Sequence, residues 1–516
     1  MNGITDIFSE CIFCGALGKM ILPQGGVGMS TTIKTVQKKK LNLFYFHIAV
    51  TVFCMFGFGH LPPISTITPM GMKVLGIFLG LVYAWTTTSL IWPSLLGMLA
   101  VSVNGIMPLP EFFTVSFANN TVVFILFIFI FAAVLEEAGL LQFLAHWFTS
   151  RKIAYGRPWM FTFLFLFGAF LGGALVNEIA SALIFWRIFY NIAKEYGFKP
   201  FVKYTTLMVF DIVFCSVTAG GSTLPFKLGP IVFFPVFEAL TGTSINFFDY
   251  LLFGFPMGAL TVVVYTLICR FVFRPDIRAL KSMNGDTLDK ASLKLEKRQK
   301  VAFGFIAALM ILLLGPDVLP KDWPVVQLIH QTGTAGVVIF LVILMFFIRF
   351  DGRPLMDFKR MANLGISWDI YVLFAMILPL SSLLTSDMTG IKPFLIQLMS
   401  PILVGRSPLL FTILVLLLGT IITNFANNVV LGIIFINIIC PLAAPLGIDP
   451  APIVTLMIFT IQLAYLTPAG SAPAAMVFGN TEWVKAKDIY YYAVIFSVIL
   501  FVFYIVVGLP YAKLIF

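Results

Sequence analysis

Residues Thr206–Ser222, TLMVFDIVFCSVTAGGS, recur 249 positions later (455 minus 206) as Thr455–Ser471, TLMIFTIQLAYLTPAGS, with Thr, Leu, Met, Phe, Ile, Thr, Gly and Ser in register. Each copy begins as an apolar run and ends in a cluster of small and turn-forming residues. Glycine weakens a helix interior and proline breaks its ladder, so each copy predicts a helix that stops partway. In hydrocarbon a broken helix is tolerated only where the freed backbone groups line a polar cavity. Matched breaks in two halves therefore predict one polar site near mid-bilayer.

The solvent follows from composition: hydrophobic residues make up 60% of the chain and charged residues 11%, and the mean hydropathy is +1.00. A water-soluble globule cannot hide that much apolar surface. The runs are long enough for helices to cross ~30 Å of hydrocarbon, and the alternation of a β-barrel is absent. The predicted class is an all-α polytopic membrane protein. The net charge of +10 is no nucleic-acid signal, because the basic residues sit in short loops between apolar runs, the positive-inside pattern. The six cysteines include a C-x-x-C at Cys11 and Cys14, but no Cys/His set has metal-ligand spacing and no disulfide framework follows. Residues 1–30 lack the features of a signal peptide. No nucleophile–base constellation or phosphate-cradling glycine loop points to an enzyme.

In chain order, residues 1–40 read as a cytoplasmic leader ending at Lys38-Lys39-Lys40, and 41–118 as scaffold helices with spans near 41–58, 71–88 and 90–106. The first repeat, 119–270, opens with a run over 120–147 that carries Glu136 and Glu137 toward an interfacial position. An interrupted stretch over 159–193 follows, too long for one helix and polar at Asn177-Glu178; it predicts a re-entrant hairpin entering from the cytoplasm. The first broken helix covers about 203–236. A polar linker, 271–300, leads to scaffold helices over 301–360. The second repeat, 361–516, has a hairpin over 408–440 broken at Thr423-Asn-Phe-Ala-Asn-Asn428 and a broken helix over 452–478. No lysine or arginine lies between Arg406 and Lys485, so this hairpin is expected to face outside. The halves thus run in opposite directions, about 11 spans in all, with the N-terminus in the cytoplasm and the C-terminus outside.

A helix starting at mid-membrane presents unpaired N–H groups and a positive dipole end that attract a carboxylate. The arms beginning near Asn177 and Asn428 supply two such ends. The broken carbonyl ends at Ala219–Gly221 and Pro468–Gly470 suit a small cation. Asparagine serves either role, or a plain interhelical hydrogen bond.

The order of elements, with Leu175-Val-Asn177-Glu, Thr423-Asn-Phe-Ala-Asn-Asn428-Val and Leu466-Thr-Pro468-Ala-Gly-Ser471-Ala-Pro473, resembles the divalent anion/sodium symporter family of the ion transporter superfamily, over nearly the whole chain after residue 40. The resemblance implies a homodimer in a bacterial cytoplasmic membrane, moving a di- or tricarboxylate or sulfate by an elevator motion. It implies substrate contacts at Asn177, Glu178, Ser222, Thr223, Asn427, Asn428, Ser471 and Pro473. It implies one sodium near Asn177 and Gly221 and another near Thr423, Ala426, Asn428 and Gly470, with no other metal or cofactor. The family's Ser-Asn-Thr tips are here Val176-Asn177-Glu178 and Asn427-Asn428-Val429: the asparagines match and the hydroxyls do not.

Glu178, Asp211 and Lys227 are charges inside apolar runs, where ionisable residues mark function or pair with one another. A Glu178–Lys227 or Asp211–Lys227 ion pair would be structural; unpaired acids would suit cation or proton coupling. Two readings follow: a sodium- or proton-coupled carrier of small organic anions, or a cation/proton antiporter or inorganic-anion transporter of the same superfamily.

Overall fold

A computed structural model describes residues 42–222, 227–282, 295–350, 352–394, 397, 407–425, 427–443, 446–468 and 470–516. The leader, Cys11, Cys14, Thr223, Ala426 and the middle of the linker lie outside them.

The described residues are almost entirely helical; the one exception of regular structure is a two-stranded ribbon, Arg349–Phe350 with Arg353–Pro354. Nine helices among them are long and apolar enough to cross a membrane. In chain order we label α1 Asn42–His60, α2 Pro69–Thr87, α3 Ile91–Val103, α4 Leu109–Phe117, α5 Asn120–Glu137, α6 Leu140–Thr149, α7 Pro158–Leu175, α8 Glu178–Glu195, α9 Lys203–Thr218, α10 Leu228–Thr241 and α11 Phe247–Leu267. In the second half α12 is Lys297–Val318, α13 Pro324–Phe347, α14 Phe358–Gly365, α15 Trp368–Thr385, α16 Pro408–Ile422, α17 Asn428–Ala443, α18 Ala451–Thr460, α19 Ala472–Gly479 and α20 Ala486–Phe503.

The plan is the one the repeat dictates: two hairpins, α7–α8 and α16–α17, and two helices that break, α9 into α10 and α18 into α19. Two expected spans differ. The run over 120–147 is two helices, because Gly139 adopts a left-handed conformation (φ 76°) that a continuous helix excludes. The span near 90–106 is the short α3, followed by a turn and α4. Glu137 pairs with Arg298 at 3.4 Å and Arg360 at 3.3 Å.

Burial orders these elements. Residues 204–221 are all buried, whereas the apolar window of α1 is 11% buried; the first broken helix lies at the centre of the packing and α1 at its periphery. Close packing around that centre comes from small residues. A Cβ on Gly173 would stand 2.4 Å from the Ser216 carbonyl oxygen, and one on Gly258 would meet Ser222 Oγ at 1.9 Å. Helices approach at these points because no side chain intervenes, the packing mode that operates in lipid.

Candidate binding site

At the first tip α7 ends at Val176 (φ −129°, ψ −89°), and Asn177 (φ −147°, ψ 131°) caps α8, its Oδ1 accepting from Ile179 N and Ala180 N, each at 2.9 Å. An extended asparagine that satisfies the first free amides is a strong helix start. The arms press together, since Ser181 Oγ donates to the Ala169 carbonyl at 2.9 Å. Glu178 is the first helical residue, where the dipole favours a carboxylate. Its Oε2 lies 2.8 Å from the position a Cβ on Gly220 would take. Gln462 Nε2, from the second copy of the repeat, lies 3.5 Å from that position and 3.0 Å from the matching one on Gly221. The first tip, the first break and the second copy therefore meet at Gly220–Gly221. Gln462 Oε1 is buried with no hydrogen-bond partner among the described residues. The sequence reading missed this residue, although a glutamine inside an apolar run, opposite Val213 of the first copy, was a signal.

At the second tip Asn427 caps α17, its Oδ1 accepting from Val429 N at 3.0 Å and Val430 N at 3.4 Å. Capping geometry thus pairs Asn177 with Asn427, one residue earlier than the pairing with Asn428 read from the sequence. Two adjacent asparagines had left that register open. Glu178 then corresponds to Asn428. Thr423 Oγ1 stands 2.8 Å from Asn428 Oδ1 and 2.7 Å from the Ile461 carbonyl oxygen, so one hydroxyl proton serves two acceptors. A Cβ on Gly470 would lie 3.1 Å from the Thr423 carbonyl oxygen. These neutral oxygens join the tip to the second break.

Asn424 is the latch between them. Its Oδ1 accepts from Leu466 N at 2.7 Å, its Nδ2 donates to the Thr420 carbonyl at 2.8 Å, and its carbonyl accepts from Thr467 Oγ1. The first hairpin is tied to the end of the second break in turn: Asn480 Nδ2 donates to Tyr190 Oη, and the Tyr190 and Trp483 rings stack at 4.3 Å and 12°. The second hairpin also packs on the segment after the first break, where Gly432 makes room for Phe233.

Other expected residues stand elsewhere. Ser222 is fully buried, donates to the Thr218 carbonyl at 2.7 Å and packs on Gly258; it faces α11 and does not reach Glu178. Ser471 caps α19, accepting from Ala474 N at 3.1 Å, with Pro473 buried in the first turn. Neither ion pair considered for Lys227 forms. Its Nζ donates to the Gly173 and Val176 carbonyls, and Asp211 instead accepts from Cys269 Sγ at 2.8 Å in the closed core. The other Asp211 oxygen is buried without a hydrogen-bond partner among the described residues. Among the described residues no group of three or more His, Cys, Asp or Glu side chains could hold a metal ion.

Comparison with known proteins agrees with this architecture. The family model of the sodium:sulfate symporter transmembrane region matches residues 229–516. Sodium-dependent dicarboxylate transporter SdcS from Staphylococcus aureus strains USA300 and NCTC 8325 is 24% identical over 287 residues. That match covers 54% of this chain and 53% of the relative, so the chain spans about half the length of the curated relatives it matches. The crystal structure of the YdaH transporter from Alcanivorax borkumensis superposes with a TM-score of 0.52 at 14% identity, over 86% of this chain and 96% of that one, which is a likeness of fold. With more than half its length inside the family model, this integral membrane protein belongs to the sodium:sulfate symporter family, a family of transporters.

Proposed function

We propose that the chain is a secondary transporter that carries a small dianion, a dicarboxylate or sulfate, across the membrane with sodium. The observation that carries this reading is the Thr423, Asn428, Ile461 cluster, in which three oxygens share one hydroxyl proton beside the backbone of Gly470. Such a set of neutral oxygens at a helix break attracts a small cation. Two capped helix starts at Asn177 and Asn427 supply amide dipoles for the anion. The substrate class is that named for SdcS and for the family.

The two latches, Asn424 on Leu466 and Tyr190 on Asn480 and Trp483, tie both hairpins to the second broken helix, and Glu178 against Gly220 adds the first break to the same body. One such body moving past α1–α4 and α12–α14 suits an elevator motion, with a homodimer holding the scaffold still. In this reading the N-terminus is cytoplasmic and the C-terminus outside, in keeping with the basic loops.

Uptake of labelled succinate and sulfate into proteoliposomes tests the reading. An inward sodium gradient should drive accumulation above the level reached with potassium; equal uptake in both would reject sodium coupling. One oxygen of buried Asp211 has no hydrogen-bond partner among the described residues, which favours a second reading, proton coupling. Proton movement that accompanies transport and disappears in Asp211→Asn would establish it.

A further inference from the structure

The two halves treat their tips differently. In the first half the last carbonyls of α7, those of Gly173 and Val176, accept from the ammonium of Lys227, a residue 3% exposed. The terminal carbonyls of a helix have no intrahelical partner and carry the negative end of its dipole. In a membrane carrier they are where a cation is held. Lys227 makes no ion pair within 4 Å among the described residues, and its described hydrogen bonds go to the tip carbonyls. Its charge is therefore directed at the tip. At the repeat offset of 249 (476 minus 227) the second copy has Met476, which carries no charge. There the tip and break oxygens are left to one threonine hydroxyl and an asparagine amide.

We propose that the Lys227 ammonium is a tethered cation standing in for a coupling ion at the Asn177 tip, so that exchangeable sodium binds only at the second tip, around Thr423, Asn428 and Gly470. This rests on the sodium-coupled reading above and adds its count of ions. A tethered charge travels with the moving body and returns with it, so it neutralises the bound anion without being released. The carrier then moves one sodium fewer per solute than a two-site relative would.

The test is the paired flux of 22Na and labelled succinate or sulfate, whichever is taken up, by the full chain in proteoliposomes, together with the sodium activation curve. The parent should move one sodium per solute, with a Hill coefficient of about 1. Lys227→Ala, which opens the carbonyl ends to solution ions, should raise the coefficient toward about 2 and shift activation to higher sodium, while Lys227→Arg keeps the parental curve. Two or more sodium ions per solute in the parent, or an unaltered curve in a folded Lys227→Ala, overturns the inference and leaves the transport reading standing. Since the parental ratio decides the matter by itself, a misfolded variant does not remove the test. Absence of sodium-stimulated uptake altogether rejects the transport reading and this inference with it.

Discussion

Glu178 rests its carboxylate on Gly220: Oε2 lies 2.8 Å from where a side chain on that glycine would begin. At this point the first tip approaches the first break as closely as it does because residue 220 has no Cβ. Gly220→Ala should push the end of a flexible side chain aside and leave the fold intact. Uptake is expected to fall about tenfold, ~1.4 kcal/mol of barrier, with little change in melting temperature. Gly173→Ala is the contrast, because its Cβ would stand 2.4 Å from the Ser216 backbone oxygen. Overpacking against backbone costs ~1–3 kcal/mol, so its melting temperature should drop. Melts in detergent and uptake assays separate the two.

The adjacent asparagines of the second tip have different work. Asn427 is the cap of α17, and losing a cap costs ~1 kcal/mol. Asn427→Ala should lower the melting temperature and leave half-saturating sodium near the parental value. Asn428 instead shares the Thr423 hydroxyl. Asn428→Ala should keep the melting temperature and raise half-saturating sodium about tenfold, ~1.4 kcal/mol. A sodium titration that moves with Asn427 and not with Asn428 would reverse the assignment.

Asn424 holds hairpin to break through Leu466 N–H. Asn424→Ala leaves that part-buried amide without its acceptor, at ~1 kcal/mol. The variant should melt earlier and lose uptake together; parental uptake would show that the hairpin needs no latch.

On the opposite side Tyr190 both bonds Asn480 and stacks on Trp483. Tyr190→Phe removes the bond and keeps the stack, so a loss of about 1 kcal/mol is expected. Tyr190→Ala removes both and should cost more, with the difference read from melting curves of the two variants.

Much of this was legible in the sequence, for physical reasons. Spans, hairpins and breaks leave a strong imprint because lipid demands long apolar runs and forbids unpaired backbone elsewhere. The imprint weakens where a single φ decides. The run over 120–147 gave no sign that Gly139 would be left-handed and split it. Side-chain direction was not legible at all: Ser222, symmetric with Ser471 in sequence, turns toward Gly258 and the Thr218 carbonyl. Lys227 suggested an acid partner because opposite charges attract, yet the carbonyl ends of α7 are its partners. Gln462 escaped notice because its importance depends on the two copies crossing at Gly221, a tertiary fact.

The central claim is that two oppositely oriented tips hold one solute, and equilibrium binding of labelled succinate and sulfate to the purified chain, with and without sodium, tests it most directly. Asn177→Ala and Asn427→Ala should each reduce sodium-dependent binding of the same anion at least about tenfold, ~1.4 kcal/mol. Parental binding in either variant, with that variant folded, would contradict a shared pocket.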